Sequence, residues 1–386
     1  MEKTIAVLGA TGSIGTQALD VARARGYRVD FLTAAANVRS MERLAREFRP
    51  RCVNMTSPDA ALSLKCALAD TDIKVTSGTE ALLSGIGDSS AEVVVNSILG
   101  AAGLLPTLAT IDAGIRLALA NKESLVMAGD IVMERARSRG VEILPVDSEH
   151  SAIFQSLRAG RPSEIKRILL TASGGPFFGK SRLELESVTV ADTLAHPTWS
   201  MGKKITVDSA TLMNKGFELI EAVHLFGVSP EAVEVLIHRE SILHSAVEYV
   251  DNTVIGEMSV PDMRMCVQYA VDYPRRMPAA SSALDLFLVG TLSFAKPDGE
   301  AFPLLPLARR AIAMGGAVPA VMNAADEIAV EAFLDGRIGF LGIADLVAET
   351  VERLSAAGSA HALDDILAYD KEARALAKSL IKQSGE

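Results

Sequence analysis

The stretch Thr4-Ile-Ala-Val-Leu-Gly9-Ala-Thr-Gly12-Ser-Ile-Gly15 decides how the chain is read. Thr4–Leu8 is an unbroken, mainly apolar run, the pattern of a strand buried on both faces of a parallel sheet. Glycines then fall at positions 9, 12 and 15, and Thr16–Arg25 reads as a helix. In a strand–turn–helix unit the first glycine permits the tight turn. The second lets the backbone approach a pyrophosphate, and the third allows close helix–strand packing. The N–H groups at the helix start then face the phosphates. A glycine triplet alone is a weak signal. Placed between a strand and a helix, it favours dinucleotide binding over a purely structural turn.

Outward from that loop the alternation continues. Arg28–Thr33, Cys52–Met55, Ile73–Thr76, Val93–Val95, Ile115–Ala120 and Glu142–Pro145 read as strands, with helical stretches between them. This predicts an α/β fold beginning with a Rossmann-like parallel sheet covered on both faces. A dinucleotide site for NAD usually carries an acid at the end of the second strand to hold the ribose 2′-hydroxyl. Here that strand runs into Thr33-Ala-Ala-Ala-Asn37-Val-Arg39. With no acid to repel a 2′-phosphate and Arg39 able to attract one, the reading favours NADP.

After Val146 the pattern changes. Ile165–Thr171, Val233–His238, Ser245–Val250 and Val254–Met258 read as strands of a central α+β domain, with a long Gly/Ser/Pro-containing stretch over 173–202. From about Pro306 onward, alanine-rich amphipathic segments such as Ala320–Leu334 and Ile343–Leu354 read as a C-terminal helical bundle. The expected division is 1–147 nucleotide binding, 148–273 catalytic, 274–299 linker and 300–386 helical.

The chain has 386 residues, enough for two or three domains. Its 49% hydrophobic and 22% charged residues describe a globular protein, and a net charge of −10 argues against a broad nucleic-acid face. Cys52, Cys66 and Cys266 fit neither a disulfide framework nor a zinc site, so reduced thiols in the cytoplasm are expected. The N-terminal residues lack the features of a signal peptide. The most apolar stretch, 93–108, is broken by Asn96 and Pro106, so no membrane association is expected.

Pro145-Val-Asp147-Ser-Glu149-His150 follows a predicted strand. If the backbone stays extended, the period of two puts Asp147 and Glu149 on one side. Two carboxylates about 4 Å apart repel by roughly 4 kcal/mol at an effective dielectric of 20, and a divalent cation relieves this. Oxygen ligands suit Mg²⁺ or Mn²⁺. A third acid is to be sought in Asp208-Ser-Ala-Thr-Leu-Met-Asn214-Lys215-Gly-Phe-Glu218-Leu-Ile-Glu221. On a helix, Asn214, Lys215 and Glu218 share a face. Asp208 and Glu221 compete with Glu218, and spacing does not separate them. The competing view of Lys215 and Glu218 is a surface ion pair of little consequence.

Ser173-Gly174-Gly175 follows a strand and offers backbone N–H groups and a hydroxyl for a phosphate. Lys122, in Asn121-Lys-Glu-Ser124, lies at a strand end where it can reach a ligand crevice, although a solvated surface lysine is as good a reading. His196-Pro-Thr-Trp199-Ser-Met-Gly202 holds the single tryptophan in a loop able to close over a ligand. His150, His224, His238, His244 and His361 show no metal-ligand spacing and read as structural.

At these motifs the chain resembles the 1-deoxy-D-xylulose 5-phosphate reductoisomerase family. The match rests on Gly9–Gly15, Asn121–Ser124, Pro145–His150, Ser173–Phe177, His196–Gly202, Val207–Gly216, Pro261–Arg264 and Asn323–Ile328, in order along nearly the whole length. The resemblance implies a homodimeric enzyme of the non-mevalonate isoprenoid pathway that uses NADPH and a divalent cation. It would convert 1-deoxy-D-xylulose 5-phosphate to 2-C-methyl-D-erythritol 4-phosphate. It also implies Asp147, Glu149 and Glu218 as metal ligands. Lys122, Ser148, Ser173, His196, Ser209, Asn214 and Lys215 become substrate contacts, with Trp199 in the lid. Thr11, Gly12, Ser13, Ile14, Ala35, Ala36, Asn37, Asn121, Glu123 and Gly202 fall on the cofactor site. The chain departs from the family pattern at Ala35-Ala36, where a Gly-basic pair is common, and at Arg239-Glu240. Two rivals from other classes are a metal-free NAD(P) dehydrogenase, indifferent to chelators, and a non-catalytic NADP-sensing protein.

Overall fold

A computed structural model describes residues 3–195, 199 and 201–384. His196, within the expected lid, lies outside the described residues. The chain divides into two units. One comprises residues 1–124, 132–151 and 262–282; the other comprises 125–131, 152–261 and 283–386. The division cuts across the expected segment boundaries: residues 262–282 group with the nucleotide-type sheet, and the C-terminal helices group with the central sheet.

The first unit is built on seven parallel strands, β1 (Thr4–Leu8), β2 (Arg28–Ala34), β3 (Cys52–Met55), β4 (Lys74–Ser77), β5 (Val93–Asn96), β6 (Arg116–Leu119) and β7 (Ile143–Pro145). Their order is β4-β3-β2-β1-β5-β6-β7. The order reverses between β1 and β5, so the carboxyl ends of these two strands flank the crevice where such sheets bind ligands. The strands match the predicted ones to within a residue or two at each end. The apolar runs of β1 and β5 are buried on both faces, as an all-parallel sheet requires, and β3 is buried along its whole length with Asn54 as its one polar side chain.

The helix Ser13–Arg25 follows β1 through the glycine turn. Gly9 has φ +79°, which favours glycine, and a Cβ there would lie 2.8 Å from the Ser97 carbonyl oxygen. A Cβ on Gly15 would lie 2.2 Å from the Gly9 carbonyl oxygen, so this glycine sets how closely the helix packs on its own turn. Both roles read from the sequence hold.

The second unit carries a mixed sheet of β8 (Ile165–Ala172), β9 (Val233–Ile237), β10 (Leu243–Tyr249) and β11 (Val254–Met258), ordered β11-β10-β8-β9. β8 runs parallel to β9 and antiparallel to β10. The helices Leu304–Met314, Val318–Leu334, Phe340–Arg353 and Leu363–Ser384 form the predicted C-terminal bundle. They share a core with the central part of the same unit. Gly216, on the helix Met213–Phe226, sits so close to Ala308 that an added Cβ would lie 2.6 Å from the alanine methyl. Phe177 meets Phe340 edge to face at 5.1 Å. Among the described residues no helix is long and apolar enough to cross a membrane.

Asp30, on β2, is a buried acid in the nucleotide-type unit. It accepts hydrogen bonds from the Ser89 hydroxyl (2.8 Å), the Ser90 N–H (3.1 Å) and the Ser90 hydroxyl (3.0 Å), with Arg51 at 3.4 Å. Burial pushes its carboxyl up, but these donors outweigh burial and hold it below the usual range. A depressed folded pKa stabilises the fold above the unfolded value of about 3.9, and that contribution is lost as pH falls through the folded value. Asp30→Asn is therefore expected to lower stability by about 1–3 kcal/mol at neutral pH. The difference should shrink below about pH 3.9, as measured by denaturant titration at a series of pH values.

Candidate active site

In the nucleotide-type unit the candidate residues gather at the carboxyl ends of the strands. Thr11, Gly12, Ser13 and Ile14 form the turn after β1 and the first turn of its helix, and each keeps some exposure. The turn is tied to β2: the Gly9 N–H donates to the Thr33 hydroxyl and the Ala10 N–H to the Thr33 carbonyl. Ala35, Ala36 and Asn37 follow β2 and are exposed. The Asn37 side-chain oxygen caps the next helix by accepting from the Ser40 N–H.

Asn121, after β6, has a different task. Its amide nitrogen donates to the carbonyls of Ile98 and Gly100 and to the Glu123 carboxylate. Its oxygen accepts from Ser124. The side chain thus fixes the 98–103 segment after β5, beside the crevice. Lys122 is buried. Its ammonium lies 2.7 Å from Asp147, so the surface-lysine reading is set aside.

Asp147 and Glu149 are not on an extended strand, contrary to the conditional expectation. β7 ends at Pro145 and a helix starts at Ser148. Asp147 acts as the helix cap: its carbonyl accepts from the Ser151 N–H and its carboxylate from the Glu149 N–H. The two acids still come together. Their carboxylates offer oxygens within 4.8 Å of each other, brought there by a helical turn instead of a pleat. The Ser148 hydroxyl donates to Glu149. His150, read from the sequence as structural, touches Asp147 through Nδ1 at 3.2 Å and is fully buried. Burial pushes the Asp147 carboxyl up, but the Lys122 ammonium and His150 prevail and hold it well below the usual carboxylate range.

The second unit gathers the other candidates. Ser173 follows β8 in a turn with Gly174 (φ +78°) and Gly175 (φ +64°). The Ser173 hydroxyl accepts from the Gly175 N–H. Gly202 starts the helix Lys203–Ala210, on which Ser209 is half-buried. Leu212, at φ +60°, joins that helix to Met213–Phe226. A buried non-glycine residue in this conformation is a strained junction of the kind found at functional sites. On the second helix Asn214 and Lys215 both reach Glu218, one to each carboxylate oxygen. Lys215 and Glu218 are almost fully buried, so their pairing is not the weak surface contact considered from spacing.

Of the competing acids, Asp208 bonds Lys204 at 2.6 Å, and Lys204 also reaches the buried Asp326 at 2.8 Å. Glu221 is buried one turn beyond Glu218. Trp199 is half-buried, its ring 6.3 Å from that of His244.

Residues 5–129 match the family model for 1-deoxy-D-xylulose 5-phosphate reductoisomerase, and residues 143–226 and 258–376 match two models of its C-terminal domains. A reductoisomerase of that name from Geobacter metallireducens is 48% identical over 384 residues, covering 98% of this chain and 99% of its own length. One from Symbiobacterium thermophilum is 50% identical over 360 residues, covering 92% of each. The chain belongs to the 1-deoxy-D-xylulose 5-phosphate reductoisomerase family. Among solved members of that family, the Zymomonas mobilis reductoisomerase in complex with NADPH superposes with a TM-score of 0.92 at 43% identity, covering 99% of both chains. A reductoisomerase in complex with NADPH, fosmidomycin and magnesium gives 0.94 at 40% identity, covering 100% of this chain and 99% of its own.

The buried Lys215–Glu218 pair makes a direct test of this cluster. Lys215→Met leaves Glu218 buried without its ammonium and should cost about 3–5 kcal/mol in denaturant titration. The double variant Lys215→Met/Glu218→Gln should recover much of that loss. A loss in the single variant no larger than that of an exposed pair would mean the carboxylate is solvated.

Proposed function

We infer that the chain is an NADPH- and metal-dependent oxidoreductase with an isomerase step, converting 1-deoxy-D-xylulose 5-phosphate to 2-C-methyl-D-erythritol 4-phosphate. The carrying observation is that one sheet bears both a dinucleotide loop, after β1, and an acid pair, after β7. The cofactor and cation named with the solved family members extend to this chain on that basis.

The donor set fits the groups. Asp147 and Glu149 offer only oxygens, close enough to share one ion, which suits Mg²⁺ or Mn²⁺. We assign Asp147, Glu149 and Glu218 as its ligands. The first turn of the helix Ser13–Arg25, which follows the glycine turn, presents backbone N–H groups of the kind that bind a pyrophosphate. Thr11, Gly12, Ser13, Ile14, Ala35, Ala36, Asn37 and Gly202 are assigned to NADPH. Asn121 and Glu123 serve it by shaping the 98–103 segment. When bound, the cation supplies Lewis acidity to the substrate's oxygens and the nicotinamide supplies the hydride.

The chain's own residues do the rest. Lys122 and His150 keep Asp147 ionised at neutral pH. Ser148 orients Glu149. Ser173, Ser209, Asn214 and Lys215 hold the phosphate, and binding energy at that remote group positions the reacting carbons. We assign His196 to the substrate and Trp199 to a lid that excludes water. We place the reaction in isoprenoid precursor biosynthesis in the cytoplasm. We propose a homodimer, favoured by the apolar side chains of Leu286, Phe287 and Leu288, exposed by 57%, 98% and 85% in one short segment.

The test is loss of nicotinamide absorbance when NADPH and 1-deoxy-D-xylulose 5-phosphate are mixed with the protein. Turnover should require Mg²⁺ or Mn²⁺, stop with excess chelator and return when the cation is restored. Glu218→Gln should lose more than about 100-fold in kcat, since even the outer partners of metal ligands are worth 10–100-fold. Its NADPH affinity should be unchanged. Chelator-resistant turnover, or near-normal turnover by the variant, would overturn the metal assignment.

A further inference from the structure

We propose that Arg239 is a positioning residue that fixes the Ser173-Gly174-Gly175 turn against Ser209 and thereby sets the affinity for the substrate's phosphate. The proposal rests on the reading of Ser173 and Ser209 as phosphate contacts. Its geometry lies wholly within the second unit.

β8 and β9 run side by side and parallel, with Ala172 paired to Ile237. The chain therefore leaves both strands at the same edge, Ser173 from one and Arg239 from the other. The His238 N–H still donates to the Ala172 carbonyl, which carries the pairing one residue beyond the strand. From there the Arg239 guanidinium donates to the Gly175 carbonyl at 2.7 Å and to the Ser173 carbonyl at 3.4 Å. It also lies over the Phe178 ring, 5.3 Å from the centroid. One side chain thus grips the turn at three points.

The turn needs such a grip. Gly174 and Gly175 are consecutive left-handed residues, and a Gly-Gly pair has weak conformational preference of its own. Both lie against neighbours with no room to spare. A Cβ on Gly174 would stand 2.9 Å from an Ile237 methyl, and one on Gly175 would stand 2.7 Å from the Ser209 carbonyl oxygen. The backbone of Gly175 therefore rests on Ser209. Pulling the Gly175 carbonyl toward Arg239 fixes where the two serines stand relative to each other.

Charge adds to this. Among the described residues no carboxylate pairs with Arg239, since the neighbouring Glu240 is engaged by Ser293 and His238. Its carbonyl partners carry no net charge, so the guanidinium adds positive charge beside a turn read as an anion site. That charge attracts a phosphate ester over a range shortened by salt.

The test compares wild type with Arg239→Met and Arg239→Lys. For Arg239→Met, kcat/KM for the sugar phosphate should fall roughly tenfold, mainly through KM, because a charged hydrogen-bonding group is lost. NADPH affinity should be unchanged. Arg239→Lys keeps a charged donor and should recover most of the loss. Calorimetric titration with inorganic phosphate should show the same ranking without turnover. Wild-type kcat/KM and phosphate affinity in Arg239→Met would overturn the proposal, as would an equal loss of NADPH affinity with no recovery in Arg239→Lys. If Arg239→Met does not fold, Phe178→Leu decides. A KM rise of about two- to fivefold with NADPH affinity intact supports the grip, and an unchanged KM removes it. A wild type that neither turns over the sugar phosphate nor binds phosphate would remove the functional reading itself, and this inference with it. Active wild type matched by Arg239→Met would remove this inference alone.

Discussion

A buried carboxylate must be matched by positive charge or hydrogen-bond donors, and this constraint organises each candidate cluster. The cost of burying an ion is several kcal/mol after relaxation, and it is met only where partners occupy most of the lone pairs. Asp147 meets it with Lys122 on one oxygen and His150 on the other. Glu218 meets it with Asn214 and Lys215. For Asp147, Lys122 and His150 outweigh burial and hold the carboxyl well below the usual range, and an ionised carboxylate is the state a hard cation needs in its ligands. On the proposed reading, Asp147 and Glu218 would be among the residues that hold the cation, which would supply Lewis acidity when bound.

The constraint also explains why one acid near Ser209 is not a convincing ligand. Asp208 and Asp326 share the Lys204 ammonium. Burial pushes the Asp326 carboxyl up despite Lys204, and it shares a hydrogen bond with Asp208. Asp208 is therefore committed to a network joining the helices Lys203–Ala210 and Val318–Leu334. Lys204 also stands over the Phe217 ring at 4.8 Å, which ties in the helix that carries Glu218. This network supports the helices that carry the proposed contacts without being among those contacts.

Much of this was legible in the sequence because it is local. The strands of the parallel sheet showed as short apolar runs, and the roles of Gly9 and Gly15 followed from the order strand, turn, helix. Asn214, Lys215 and Glu218 were placed on one face by helical spacing, and they are bonded there. What spacing could not supply was burial and long-range pairing. It left Asp208, Glu218 and Glu221 as equals because the partner of Lys204 lies 122 residues along the chain. It passed over His150 because an i,i+3 contact with Asp147 requires the helix to begin at Ser148, and the segment was read as extended. Pro145 ending β7 and the Asp-Ser-Glu run after it were the available signal, since acids and small polar residues mark a helix start.

The end of β2 shows the same accounting applied to the cofactor. A sequence reader sees Asp30 three residues before Thr33 and can ask whether it is the ribose-binding acid of an NAD site. It is not, because its oxygens are taken by Ser89 and Ser90 and it is buried below the strand end. Thr33 is also used, its hydroxyl and carbonyl holding the glycine turn. The Asn37 oxygen is used as a helix cap. What remains at the strand end is exposed alanine backbone followed by Arg39, a surface with no negative charge of its own. On the proposed reading, a 2′-phosphate placed there would meet the exposed backbone of Ala35 and Ala36 and the exposed Arg39.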